Sequence, residues 1–166
     1  MFLAVARPSP TAGKETTMPV MSVARFERFF RLAASLDVDK SDIKRYQDFV
    51  NQKIYDLMLI AQGTAKANGR DIILPRDIPV TKGLQESVHA FRELDQELDL
   101  APLLEQVLIL PPLDRGLAEE TLDGLPQLVG GLSLALARTF KIIDPALKNP
   151  NTQAWEQAFE IFNLLL

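Results

Sequence analysis

The chain has 166 residues, of which 47% are hydrophobic and 24% are charged, a balance typical of globular rather than disordered proteins. It contains no cysteine, which excludes a disulfide framework, a thiolate nucleophile and a cysteine-ligated metal site. A formal net charge of −4 argues against avid DNA binding, since nucleic-acid-binding domains are usually basic. Residues 1–100 carry 14 basic and 14 acidic residues, whereas residues 101–166 carry 4 and 8. An anionic partner is therefore expected to prefer the first half.

The first 21 residues are expected to form a flexible tail, because prolines, threonines and a glycine recur there without apolar periodicity. The apolar start of the chain is too short for a secretory signal. The most apolar stretch, residues 125–140, is interrupted by polar side chains and is shorter than the roughly 20 residues that a membrane span needs. We therefore expect a cytoplasmic protein without a membrane partner.

Two amphipathic helices are predicted after this tail. Apolar residues at helical spacing predict the first helix over residues 22–36. A second stripe of about 26 residues predicts a much longer helix, capped at its start by Ser41 or Asp42. Asn68 and Gly69 should end this helix, because both residues tolerate the left-handed conformation.

The run Ile72–Leu74 favours an extended conformation and needs another loop to pair with. A third helix is predicted to start at Asp77 or Thr81 and to end at Leu94. The acidic stretch 95–99 then predicts a boundary between two halves. The chain should thus contain a first unit over residues 22–96 and a second over residues 97–166, joined in one compact domain.

The second half repeats the order of helices more weakly. Asp99 is expected to cap a short helix, and apolar periodicity predicts a long helix over residues 117–143. Pro126 and the pair Gly130 and Gly131 should kink this helix or delay its start, and the glycine pair should also allow a neighbouring helix to approach closely. A last helix contains Trp155 and the terminal leucines. The order short, long, short therefore occurs twice.

This order, with a short extended loop on each side of the long helix, resembles the histone fold. Residues 65–78 read AKANGRDIILPRDI. They are similar to archaeal histones, whose long helix ends in Gly-Arg, crosses a β-prone loop and reaches Asp-Ile at the same spacing. The run RFFRLA over residues 28–33 also resembles the Arg-apolar-apolar-Arg run of that family. The resemblance covers residues 22–94, and in the second half it rests on helix order alone.

The resemblance implies an ion pair between Arg70 and Asp77 that clamps the loop after the long helix. It also implies an all-α fold of two tandem histone-like units. A single unit cannot bury its long helix alone, so the two units would pair within the chain as an intramolecular pseudodimer. The whole chain looks like an uncharacterised bacterial family of such doublets.

The same resemblance raises DNA as a partner, but the loop departs from the family pattern. Histones place Lys and Thr after the loop arginine, where this chain has Asp71 and Ile72, and an acidic side chain repels phosphate. The side chains that remain as candidates for phosphate contacts are Arg28, Arg31, Lys40, Lys44 and Arg45.

Arg25, Arg28 and Arg31 lie on one predicted helix and could form a phosphate-binding strip. In an acidic chain we favour a solvated face instead, with Glu27 paired to Arg31 one turn later.

Three other groups of side chains are candidates for chemical sites. The segment from Asp37 to Asp48 begins like a calcium loop, but its sixth position is Asp42 instead of glycine, so helix capping is favoured. His89 is the only histidine and has no converging partners in the sequence. The remaining group is interpreted as a solvated acidic face: Glu119, Glu120 and Asp123.

We therefore expect a non-enzymatic histone-fold protein with no catalytic site, metal, cofactor or small-molecule substrate. It should act by associating with itself or with another protein. The alternative is weak, sequence-independent architectural binding of DNA through the first half, at the nucleoid.

Overall fold

The computed structural model describes residues 20–110 and 112–166. Within these residues the chain is mostly helical, which confirms the all-α prediction. Two short strands, β1 (Ile72–Ile73) and β2 (Gly116–Leu117), lie in the loops. The predicted tail, as far as residue 19, lies outside the described residues. The helices are α1 (Val20–Ala34), α2 (Lys40–Ala67), α3 (Lys82–Leu98), α4 (Ala101–Val107), α5 (Glu119–Ile143) and α6 (Thr152–Leu165).

Helix α2 begins with a capping box. The side chain of Asp39 accepts a hydrogen bond from the backbone N–H of Asp42 at 2.9 Å, and the side chain of Asp42 accepts one from the N–H of Asp39 at 2.9 Å. The predicted cap at Ser41 or Asp42 is therefore wrong, because Asp39 takes that position and Asp42 becomes the reciprocal partner. The predicted stop is confirmed: the helix ends at Ala67 and Gly69 has a φ of 67°.

Most of the predicted boundary over residues 95–99 is helical, and only Asp99 lies outside α3. Helix α3 continues through this stretch because Leu98 extends its buried stripe. The turn to α4 comes at Asp99, whose φ of 48° is left-handed. The carboxylate of Asp95 accepts a hydrogen bond from the N–H of Leu100 at 2.5 Å and stabilises this turn. The junction therefore falls at the last residue of the predicted boundary, and α3 ends at Leu98 instead of the predicted Leu94.

Helix α5 neither starts late nor breaks at its proline. It begins at Glu119 and runs through the buried Pro126 to Ile143. The close approach of a neighbouring helix, predicted at Gly130 and Gly131, is confirmed. A Cβ atom at Gly131 would lie 2.4 Å from the side chain of Val88, so α3 packs directly on the backbone of α5.

The two halves meet through their loops at both ends of the molecule. Strand β1 pairs in parallel with β2, with Ile72 opposite Gly116. This pairing supplies the partner that the sequence left open for the β-prone run. At the other end, the backbone N–H of Asp37 donates to the carbonyl oxygen of Lys148 at 2.6 Å. Each contact joins the loop before one long helix to the loop after the other.

A single large hydrophobic core includes residues from all six helices. Within it the hydroxyls of Tyr46 in α2 and Ser133 in α5 lie 2.6 Å apart, and burial raises the pKa of Tyr46. The aromatic core residues that are at most 2% exposed are Phe26, Phe29, Phe30, Tyr46, Phe49, Phe91, Phe140 and Trp155.

In the described part of the chain, no helix combines the length and apolar character needed to cross a membrane.

Candidate functional site

The structure brings Arg70 and Asp77 together in a two-bonded ion pair across the loop after α2. Arg70 follows Gly69, and Asp77 ends a short 3₁₀ turn. The two guanidinium Nη atoms each donate to one carboxylate oxygen at 2.6 Å. Arg70 also donates to the carbonyl of Ile72 at 3.3 Å, and Asp77 accepts from the N–H of Leu74 at 2.8 Å. The pair therefore holds both the strand β1 and the turn that follows it.

The environment keeps Asp77 ionised. Its side chain is only 1% exposed, whereas that of Arg70 is 23% exposed. Hydrogen bonding to Arg70 lowers the pKa of Asp77 to about 2, and the N–H of Leu74 contributes in the same direction against the opposing effect of burial. Asp77 is thus ionised at any physiological pH, and its carboxylate is occupied by hydrogen bonds within the loop.

The loops at this end carry opposite charges that lie close together. Asp71 Oδ1 lies 3.9 Å from Arg115 Nε, and Asp114 Oδ2 lies 3.9 Å from Lys66 Nζ. Asp71, the residue that departs from the histone pattern, has an 80% exposed side chain. This end therefore presents mixed charge to solvent, which is unfavourable for a polyanion.

The candidates for phosphate contact lie on α1 and the start of α2, near the other loop contact. Arg31 and Arg45 bind residues outside their own helices. Arg31 Nε lies 3.4 Å from Asp37 Oδ1, so Arg31 pairs beyond its own helix and not with Glu27 as predicted. Arg45 donates to the hydroxyl of Thr152 at 2.9 Å and joins α2 to α6. Both side chains therefore stabilise the fold at this end.

The other three candidates, Arg28, Lys40 and Lys44, are exposed. Arg25 is also exposed and lies three residues before Arg28 on α1. Among the described residues, neither of these two arginines has a carboxylate within ion-pair distance. Their cationic heads are thus available to an anionic group outside the chain.

Two carboxylates of the calcium-like segment, Asp39 and Asp42, form the capping box of α2. Besides its role there, Asp42 accepts a hydrogen bond from Trp155 Nε1 at 3.0 Å and is buried. This bond joins the start of α2 to α6, so the capping interpretation accounts for both Asp39 and Asp42.

The histidine and the acidic triplet lie apart on the surface. His89 is exposed, with its Nε2 3.6 Å from Glu93 on the same helix. Glu119, Glu120 and Asp123 are all exposed near the start of α5. Among the described residues, no hydrogen bond or ion pair joins His89 to Glu119, Glu120 or Asp123.

Comparison with known proteins identifies the family. Residues 26–163 match the sequence profile of the family described as "Domain of unknown function (DUF1931)". The chain belongs to the DUF1931 family. Two proteins of Aquifex aeolicus (strain VF5), both described as uncharacterized, resemble it in sequence. One is 26% identical over 147 residues, covering 89% of this chain and 85% of that protein. The other is 28% identical over 139 residues, covering 75% and 80%.

Two crystal structures resemble this DUF1931 chain along most of its length. A Thermus thermophilus protein is 53% identical, with a TM-score of 0.77, over 87% of this chain and 97% of that chain. A protein from Aquifex aeolicus is 25% identical, with a TM-score of 0.78, over 92% of this chain and 100% of that chain. The arrangement of helices is therefore shared even with a protein that is only 25% identical in sequence.

Sequence reasoning missed one buried charge in the DUF1931 chain. The side chain of Lys53 is 2% exposed, and its Nζ lies 3.1 Å from Asp56 Oδ2 and also donates to Asn163 of α6. Its position between Val50 and Leu57 on the buried stripe of α2 was the available signal. Lys53 thus ties the last turn of α6 to the middle of α2.

A second missed residue, Asn51, holds the loop after α4. Its side-chain oxygen accepts from the N–H of Ile109 at 2.8 Å, and its amide donates to the carbonyl of Val107 at 3.1 Å. Such a contact between residues more than 50 positions apart has no local sequence signature. Asn51 and Lys53 are structural residues that fix the second half on α2.

Proposed function

We propose that this DUF1931 chain is a tandem histone-fold protein whose halves pair within one molecule, and that it acts without catalysis by associating with protein. The observation that carries the proposal is the reciprocal contact of the loops. The loop after α2 pairs with the loop before α5 through Ile72 and Gly116. The loop before α2 contacts the loop after α5 through Asp37 and Lys148.

A reciprocal arrangement of this kind is expected when two similar units pair about an approximate two-fold axis. The first unit would consist of α1, α2 and α3, and the second of α4, α5 and α6. The shared core supports the pairing, because α2 is covered by residues of the other unit. Phe49 of α2, for example, stacks on Phe159 of α6 with ring centroids 5.6 Å apart.

Protein association is favoured over catalysis because the carboxylates that could take part in a reaction are already engaged in hydrogen bonds that hold the fold. Asp77, Asp39 and Asp42 are used in structural hydrogen bonds. Conversely, several large hydrophobic side chains are exposed, and exposed apolar groups that cluster often mark protein interaction sites. The most exposed of them lie near the ends of α5 and α6: Ile142 at 81%, Leu164 at 86% and Leu165 at 71%.

Weak architectural DNA binding is the second candidate. The exposed Arg25 and Arg28 favour it, because each could contact a phosphate without first breaking an ion pair. The partners of Arg31 and Arg45 and the exposed Asp71 weigh against it. The net charge of −4 adds a general repulsion of polyanions. We expect the protein to act in the cytoplasm, and at the nucleoid if the DNA alternative holds.

The two candidates differ in their response to nuclease. The full chain carrying an affinity tag should retain a protein partner from native lysate at physiological salt, with and without nuclease treatment. The retained protein should then bind directly after both proteins are purified. Capture that disappears on nuclease treatment would contradict protein association and favour DNA binding. A tagged unrelated helical protein serves as the control for non-specific retention.

A further inference from the structure

We infer that the groove between α1, α3 and α5 is a self-association surface whose occupant is a second copy of this chain. The inference rests on the proposed function, since it names the partner of that association. The groove has a volume of about 310 Å³. Its apolar lining residues are Leu32 and Ala33 of α1, Ala90 and Leu94 of α3, and Leu134 of α5.

The α1 wall of this groove is bordered by two basic side chains that lie outside the groove lining itself. On α1, Arg25 and Arg28 precede Leu32 by seven and four residues, which places all three on the same flank of the helix. Leu32 is 48% exposed although its side chain lines the groove. The two arginines are exposed and have no ion pair among the described residues. This wall therefore combines an apolar side chain with two available cations.

The opposite wall is acidic. Glu93 and Glu97 lie one turn apart on α3 and both line the groove. Glu93 has a 72% exposed side chain whose closest described partner is the exposed His89 at 3.6 Å. Glu97 is exposed and has no ion pair within the described part of the chain. Arg138 of α5 also lines the groove and is its one basic lining residue.

Opposite charges on the two walls make the surface complementary to itself. In a two-fold contact, rotation about an axis through the groove places the α1 wall of one copy over the α3 wall of the other. Arg25 and Arg28 would then face Glu93 and Glu97 twice, and Leu32 would enter the apolar groove of the partner twice. A nucleic acid on this surface would meet the two glutamates, so charge complementarity favours the second copy.

The association should be weak and sensitive to salt, because the charges involved are exposed and screened. Sedimentation equilibrium of the full chain, at low and at high salt over a wide concentration range, measures it directly. The variants are Glu93→Arg with Glu97→Arg, Arg25→Glu with Arg28→Glu, and all four changes together. Each pair of changes should weaken dimerisation roughly tenfold or more, since every altered contact occurs twice. The fourfold variant should restore it, because the charges are then exchanged between the walls.

Glu119→Arg with Glu120→Arg is the matched control for Glu93→Arg with Glu97→Arg, since it makes the same change in net charge on an exposed surface outside the groove. It should dimerise like the wild type. Circular dichroism checks that each variant is folded, and Leu32→Ser offers a milder change that should also weaken the dimer. A monomer at all concentrations, an unaffected charge-reversal variant or a failure of the fourfold variant to recover would each overturn the inference. Nuclease-resistant capture of a different protein by a strictly monomeric chain would overturn it while leaving the proposed function intact.

Discussion

Phe91 of α3 lies against the bare backbone of Gly130 in α5. A Cβ atom at residue 130 would lie 2.2 Å from the phenyl ring, far inside van der Waals contact. Glycine inside a helix costs about 0.5–1 kcal/mol relative to alanine. The close approach of α3 to α5, with Phe91 itself 1% exposed, offsets this cost by burying a large apolar side chain.

Gly130→Ala should therefore destabilise the protein although alanine favours helix. We expect the free energy of unfolding to fall by about 1–3 kcal/mol, because the ring of Phe91 must move. Gly124→Ala in the same helix is the matched control, since nothing lies within 4 Å of its Cβ position. That variant should be stabilised by about 0.5–1 kcal/mol. Urea unfolding measures both, and equal effects of the two changes would contradict the steric role of Gly130.

The ion pair of Arg70 and Asp77 should behave as one energetic unit. Asp77→Ala should lower the free energy of unfolding by about 1–3 kcal/mol, because Arg70 and the N–H of Leu74 lose their common acceptor. Arg70→Ala should also destabilise, since it leaves a buried carboxylate unpaired. The double variant should cost less than the sum of the two losses. Strict additivity in urea melts would show that the residues do not interact energetically.

The same ion pair predicts a dependence of stability on acid. The pKa of Asp77 is lowered from 3.8 to about 2, so its carboxylate stabilises the folded state fully above the unfolded pKa. This contribution, about 2 kcal/mol, is lost as the pH falls through 3.8 towards 2. The stability difference between the wild type and Asp77→Asn should shrink over that interval. A difference that stays constant from about pH 6 to pH 2 would contradict the role of the ionised form.

The first half of the chain should not be stable as a monomer. Residues 20–99 alone would expose the face of α2 that the second half covers. This face includes Phe49, which stacks on Phe159, and Tyr46, whose hydroxyl bonds that of Ser133. Such a surface should drive dimerisation or aggregation. Light scattering coupled to gel filtration measures the mass, and circular dichroism the fold. A folded monomer of this fragment would argue against paired halves.

DNA binding, if present, should be weak, independent of sequence and limited to low salt. Each phosphate contact contributes about −0.9 to the slope of log affinity against log salt. Arg28 and Lys40 are exposed, and Arg31 must first leave Asp37, so we expect a slope of about −2 to −3. Fluorescence anisotropy with labelled duplex at two salt concentrations measures it. Submicromolar affinity at physiological salt would displace protein association as the first proposal.

A pair of charge reversals tests which residues carry any such binding. Arg28→Glu with Arg31→Glu should abolish the affinity that remains at low salt. Lys82→Glu with Arg92→Glu makes the same change in net charge at two exposed residues of α3 and serves as the control; like Arg31, both residues have a partner within the chain, Glu86 and Gln127 respectively. Equal losses of DNA affinity in both variants would show that only the total charge of the protein matters. The arginines of α1 would then simply be solvated side chains with no specific role in binding.

Local patterns predicted the helices well and their ends less well. Apolar periodicity located α2 because its buried stripe is long and nearly uninterrupted. The cap was misplaced because Asp39, Ser41 and Asp42 are all good capping residues, and only the backbone geometry selects Asp39. Helix α3 was predicted too short because acidic residues around Asp95 resemble a boundary, although Leu98 continues the apolar face.

The order of the helices, the stop at Gly69 and the spacing that brings Arg70 to Asp77 could all be predicted from the amino-acid sequence. These features depend on residues within a few turns of one another, where propensity and periodicity act. Three contacts could be found only in the folded molecule: the pairing of β1 with β2, the hydrogen bond of Arg45 to Thr152, and that of Lys53 to Asn163. Each of these contacts joins residues more than 40 positions apart. Their formation depends on how the two halves pack, because a side chain's partner across a core is set by the position of the facing helix and not by its own neighbours in the chain.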